Sequence, residues 1–449
     1  LRTYRRTGYA VAALAAVALA AAGCSSSASS SSSSAPASSA PAASGSSTPV
    51  STTSGSGGLG AQSVTNYLSY VGGKAGPASS SLPPVTIGYM NEQGDANPPG
   101  ELSTNGAEMA VSYINKELGG VDGHPLKLDT CFTTTEAQGG TCADQFLADK
   151  SLPLVATGGV ATGAQTFFNT IAGKIPVIDG VAVTPFDATQ KNVVILFGDS
   201  THVLGPIGTY ASTVLHAKTA SVIYPQTAGI TPGALAIEAG LKAAGVSVTM
   251  APYPVSDTNL TSVLAAAHAS TADMVVPYAD ATDCVNLAKA LTQQGITDAK
   301  KIVSAPLCLS ATVQQGLGDY PKWTYSIASS LFGDTTDPGM PAYEAVTKTY
   351  TTAADAPDPW EIVNFGEILT VDKLLNQIGY ANITQSAVLS AAKAFKGPQA
   401  LGAPSLDCGQ FADAPAVCND QAQFFSYAGN HVFTKVAGWT KPPANDSGQ

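Results

Sequence analysis

Charge is scarce in this chain of 449 residues. Asp, Glu, Lys and Arg make up 12% of it, with 21 Lys and Arg against 32 acids, a formal charge of −11. So low a charged fraction excludes a coiled coil. The shortage of bases excludes nucleic acid as a partner, because phosphate binding needs clustered Lys and Arg to displace counterions. Familiar chemistry is missing as well. No CxxC or HExxH pair offers a metal site, and His124, His202, His216, His268 and His431 are scattered. No GxSxG elbow, Walker A loop or protein-kinase set appears. Neither an enzyme nor a cofactor is expected. The apolar run Tyr9–Ala22 is about 14 residues, short of the ~20 that a transmembrane helix needs.

What that run does form is a leader. Arg2, Arg5 and Arg6 precede it, and Ala21-Ala22-Gly23-Cys24 closes it. Basic, apolar and small residues in that order make a secretory signal over 1–23. The small residues directly before Cys24 resemble a bacterial lipobox, which implies a lipid on Cys24 and attachment to the outer face of the cell membrane. Residues 24–82 are rich in Ser, Ala, Pro and Gly and read as a flexible tether. Within it, Val64, Tyr67, Leu68 and Val71 have the spacing of one or two helical turns.

Six cysteines remain after Cys24: Cys131, Cys142, Cys284, Cys308, Cys408 and Cys418. An even set in an exported chain reads as disulfides, and sequence alone allows about 15 pairings. Nearest-neighbour pairing, 131–142, 284–308 and 408–418, closes short loops.

From Pro84 the pattern alternates. Strands are expected at 85–89, 126–128, 154–157, 175–178 and 193–197, with helices at 105–118, 141–149 and 165–172 between them. Asn105 and Glu108 have the spacing of a capping box. A second round follows, with strands at 220–224, 246–249, 273–278 and 301–304 and helices at 233–244, 260–270 and 284–295. Strands alternating with helices imply parallel sheets covered on both faces, here in two α/β lobes. Helices at 340–351, 360–378 and 385–395 come next. Gly429-Asn430 then turns a terminal hairpin.

In open parallel sheets, ligands bind beyond the carboxyl ends of the strands. That rule nominates Asn91, Glu92, Gln93, Gly159, Val160, Thr162, Ala182, Val183 and Thr184 in the first round. In the second it nominates Gln226, Thr227, Tyr278, Asp280 and Leu307. Asp283 fits an N-cap for the following helix, which leaves Asp280 as the better ligand candidate of the two acids.

The run Ile87-Gly88-Tyr89, Asn105 to Val111, Ile114-Asn115 and Gly119 to Leu126 resembles a known opening. It is similar to the start of type I periplasmic binding proteins of ABC transporters, above all the branched-chain amino-acid (Leu/Ile/Val) receptors. Cys142 to Phe146 and Gly173 to Ile178 resemble that family too. The resemblance implies two Rossmann-like lobes, parallel sheets flanked by helices, joined by three crossovers near 200–205, 326–333 and 396–398. Lobe 1 would comprise 83–203 and 331–396, lobe 2 would comprise 204–330 and 397–440, and 441–449 would fray. It implies a monomer that closes on a small ligand by hinge motion and meets the membrane permease of an importer. The alternative is a lipoprotein that senses a ligand and signals to a membrane partner. In amino-acid-binding members a Ser/Thr-rich loop holds the carboxylate and an acid holds the ammonium. Here only Thr162 offers a hydroxyl, and Ser304 to Cys308 contain no acid, leaving other small carboxylates, amides and aromatic acids open as ligands.

Overall fold

The computed structural model describes residues 64–94, 100–255, 259–350 and 359–444. The leader, Cys24 and the serine-rich stretch through residue 63 lie outside them. Among the described residues no helix is long and apolar enough to cross a membrane.

A short helix comes first, α1 (Tyr67–Val71). Asn66 caps it by accepting from the Ser69 N–H at 2.9 Å, and Gly72 ends it in the left-handed region. Val64, Tyr67, Tyr70 and Val71 are buried. The expected tether over 24–82 therefore runs too far. Its last part is folded, because four apolar side chains recur on one face and find a core to cover.

The first sheet follows. β1 (Val85–Glu92), α2 (Gly100–Glu117), β2 (Leu126–Thr133), α3 (Glu136–Ala148) and β3 (Val155–Thr157) alternate, then α4 (Ala164–Ile171), β4 (Val177–Asp179), α5 (Pro185–Ala188) and β5 (Val193–Ile195). The strands lie parallel in the order β2-β1-β3-β4-β5. Helices cover both faces, so β1 is buried at nearly every position, with its apolar residues first and the polar Asn91 and Glu92 at its carboxyl end. Asn105 and Glu108 fall inside α2 rather than capping it, since the helix already includes Gly100.

The second lobe repeats the scheme. α6 (Pro206–Thr213), β6 (Thr219–Pro225), α7 (Thr231–Ala243), β7 (Ser247–Tyr253), α8 (Leu260–Ala266), β8 (Met274–Pro277) and α9 (Ala281–Gln293) lead to β9 (Val303–Ser304), α10 (Ala311–Leu317) and β10 (Thr324–Ile327). β7, β6 and β8 form one parallel sheet. A bridge from Val275 to Ile302 joins it to the strands around β9.

The chain then returns. α11 (Met340–Tyr350), α12 (Pro359–Ile378) and α13 (Gln385–Lys393) pack into the core around β1. The Tyr70 hydroxyl meets Thr370 Oγ1 at 2.9 Å, tying α1 to α12. After β11 (Lys396–Gly397) and β12 (Leu406–Asp407) comes a hairpin, β13 (Ala422–Gly429) and β14 (Val432–Thr440). β13 pairs antiparallel with β10, and the hairpin turns with positive φ at Gly429 and Asn430.

Two expected boundaries move. Residues 398–418 were expected with the second lobe, yet Ile195 of β5 donates to Ala416 O and accepts from Cys418 N, at 2.8 and 3.0 Å. That stretch extends the first sheet, so the third crossover lies after Cys418 and not at 396–398. Lys441, the first residue of the stretch expected to fray, is tied down. Thr209 Oγ1 donates to Lys441 O at 2.7 Å, and Lys441 lies 3.6 Å from Asp420. Residues 445–449 lie outside the described residues. The disulfides are 131–142, 284–308 and 408–418, the nearest-neighbour set.

Candidate functional site

Beyond the ends of β1 and β3, the nominated residues of the first lobe come together, but they bind one another. Asn91 is fully buried, and its Nδ2 donates to Gly100 O at 2.7 Å and Thr104 Oγ1 at 3.0 Å. Thr104 in turn donates to Gln93 Oε1 at 2.6 Å. A Cβ on Gly158 would stand 2.5 Å from Asn91 Oδ1, so this loop needs glycine for the close approach. Glu92 Oε2 accepts from the backbone N–H of Ala161 and of Thr162, both at 2.8 Å. Gly159 is buried in the same loop, and Val160 is buried against the core beneath it.

Ala182 is also core, bridging to Asp199. Val183 is half-buried beside it. Thr184 caps α5 in a box with Asp187, its hydroxyl donating at 2.7 Å. Thr184 is thus a helix cap.

In the second lobe Gln226 is exposed and Thr227 Oγ1 accepts from Ile230 N at 3.3 Å. Tyr278 is buried with its hydroxyl against Gly233 of α7, which makes it a core residue and not a cleft residue. The cap of α9 is Asp280 and not Asp283. Asp280 is the extended residue after β8, and it accepts from the Asp283 N–H at 3.1 Å. Asp283 sits in the first turn of α9, where burial raises its carboxyl above the usual range.

A cavity of about 90 Å³ lies where the lobes and the crossovers meet. Val181, Phe197, Pro359, Trp360 and Val363 line it from the first lobe, and Pro306 and Leu307 from the second. Val203, Leu204 and residues 326–329 complete it from the crossovers. Leu307 is the one nominated residue on this wall. The others were missed because they come from the hinge segments and from the start of α12, which no strand-end rule marks. Among the described residues, none on the wall is charged. The wall includes Ser326, whose hydroxyl is buried without a hydrogen-bond partner.

Beneath the floor lies a group of buried acids. Asp179 ends β4, Asp187 lies in α5, and Glu367 lies one turn past Val363 in α12. A Cβ on Gly180 would stand 2.9 Å from Glu367 Oε2. Burial raises the Glu367 carboxyl far above the usual range, and repulsion from Asp179 adds to it; burial raises Asp179 likewise, with repulsion from Asp187. Burial raises Asp187 to about 7. Both Glu367 oxygens lack a hydrogen-bond partner. Burial thus favours the protonated form of all three acids.

Taken together, the two lobes and the hinge-lined apolar cavity suit enclosure of a small solute. The family model for the periplasmic binding proteins matches residues 84–413. No curated protein matches the sequence significantly. Among solved structures, an ABC transporter substrate-binding protein from Sphaerobacter thermophilus is 14% identical, with a TM-score of 0.66 over 80% of this chain and 98% of that one. A branched-chain amino acid transporter substrate-binding protein from Streptococcus pneumoniae, in complex with isoleucine, is 16% identical, with a TM-score of 0.62 over 79% of this chain and all of the other. A solute-binding protein from R. palustris, in complex with 4-hydroxybenzoate, is 13% identical, with a TM-score of 0.63 over 80% and 98%. At such identities the structures speak for the fold, and the family model speaks for the membership. The chain belongs to the periplasmic binding protein family, in the type I fold of ABC-transporter solute receptors.

Proposed function

We propose that this chain is the receptor of an ABC importer, lipid-anchored through Cys24 outside the cell membrane. It takes a small solute between its lobes and presents the closed form to the permease. The observation that carries this reading is the cavity at the crossovers, lined by both lobes in a chain of this family. Hinge segments that also form the pocket wall let ligand contacts select the closed state directly. Lobe 1 then comprises 83–203 with the returning helices and the segment through Cys418, and lobe 2 the rest up to the hairpin. Leu307 and Trp360 face each other's lobe across the ligand in this reading.

A thermal-shift screen of the full chain tests it, using amino acids, small carboxylates, amides, aromatics and sugars. A ligand at about 100 times its Kd stabilises the fold by roughly 2.7 kcal/mol. Small-angle scattering on a hit should show contraction as the lobes close. A folded chain that responds to no compound in the panel would refute the receptor reading.

A further inference from the structure

We propose that the ligand is an uncharged, largely apolar molecule with a single hydrogen-bonding head, an alcohol or an amide, and not a carboxylate or an α-amino acid. The inference rests on the receptor reading above.

An anion needs a partner, and no charged side chain lines the cavity to supply one. Backbone N–H groups after β3, at the entry to α4, would be the natural cradle for a carboxylate. Those of Ala161 and Thr162 donate to Glu92. Those of Gly163 and Thr166 donate to Glu136, again at 2.8 Å. The protein's own carboxylates thus occupy all four. Arginine, the usual bidentate clamp for a carboxylate, does not occur in the sequence after Arg6. No lysine lines the cavity. A carboxylate entering this wall would lose its water and gain no charge partner, which is costly.

The wall's polar side chains are Ser326, Ser329 and the Trp360 indole, and the Ser329 hydroxyl already donates to Ser330 O at 2.9 Å. Ser326 belongs to the wall and carries a hydroxyl that is buried and unpartnered. A hydroxyl both donates and accepts, so it can pair with an alcohol or an amide without any charge. An unsatisfied buried hydroxyl is itself unfavourable, and a ligand head that bonds it removes that cost.

Matched probes test the proposal on the full chain at neutral pH. Butanol, butyramide, butylammonium and butyrate share one body, as do benzyl alcohol, benzamide, benzylammonium and benzoate. Thermal shift ranks them and calorimetry gives Kd. The alcohol or amide of a series should bind at least about tenfold more tightly than its carboxylate. Ser326→Ala should weaken that uncharged probe by about tenfold without moving the melting point of the ligand-free chain downward. A carboxylate or an ammonium that binds best overturns the proposal and leaves the receptor reading standing. Uncharged probes that bind Ser326→Ala as well as the parent overturn the role given to Ser326. No shift from any probe, together with a flat screen of other solutes, overturns the receptor reading and this inference with it.

Discussion

Asp187→Asn should change how stability depends on pH, and the direction follows from burial. The Asp187 carboxyl rises from 3.8 to about 7 on folding, so the folded chain binds a proton that the unfolded chain has released. An acid shifted upward makes the protein most stable below its unfolded value. Stability then falls as pH rises through the window from about 4 to about 7. Each pH unit of a one-proton difference is worth about 1.4 kcal/mol, so the whole window amounts to at most about 4 kcal/mol. Asparagine has the same shape and keeps the oxygen that accepts from the Thr184 hydroxyl at 2.7 Å. It removes the titration, and it also loses the second oxygen that accepts from the Thr184 N–H at 3.3 Å, a cost that does not vary with pH. Urea unfolding of parent and variant between about pH 4.5 and pH 8 should give curves that diverge as pH rises, with the variant gaining relative to the parent. Asp179 and Glu367 remain in the variant and keep part of the dependence. A constant difference between the two proteins across that range would mean that Asp187 is ionised in the fold. The account of the acid trio would then be wrong.

Other perturbations address the corrected elements. Asp280→Ala removes the cap of α9 and should lower stability by about 1 kcal/mol, measured by urea unfolding, while leaving ligand affinity within twofold. Val71→Ala removes two buried methyl groups under α12 and should cost about 2 kcal/mol; an unchanged unfolding midpoint would return α1 to the tether. Replacing Cys284 and Cys308 together by Ala opens a loop of 24 residues and should cost about 3 kcal/mol by calorimetry. Trp360→Ala should weaken any ligand found in the screen by about tenfold or more, since an aromatic wall supplies much of the contact area.

The sheet was legible because its strands are buried on both faces. Runs such as Val193–Phe197 and Met274–Tyr278 are apolar throughout, and the turns between them carry Gly. Helix α10 escaped notice because Val313 is its one buried residue, so it leaves no apolar stripe to read. Strand β10 is a short mixed run, Thr324–Ile327, whose burial comes from its neighbours β9 and β13. The caps show a finer limit. Asp280 and Asp283 are three residues apart, and which one caps depends on where the extended chain after β8 stops. The site was the least legible part. Strand-end loops were a sound guide to the first lobe's polar cluster, but that cluster is closed on itself by Glu92, Thr104 and Glu136. The apolar wall brings Phe197 together with Trp360 and Leu307, which are far apart in the chain, and only the crossovers reveal that they share a surface.

The three disulfides bear on mechanics. Cys131 in β2 bonds Cys142 in α3, Cys284 in α9 bonds Cys308 just after β9, and Cys408 bonds Cys418 on the return segment. Each ring lies within one lobe, and none of the three spans the crossovers. They act as local stiffeners on two bodies joined by three strips of chain. Under a pulling force, the residues inside each ring contribute no length until its sulfur bond breaks, whereas the crossovers bear the full load. Oxidation thus stiffens each lobe and adds no covalent tie between the two.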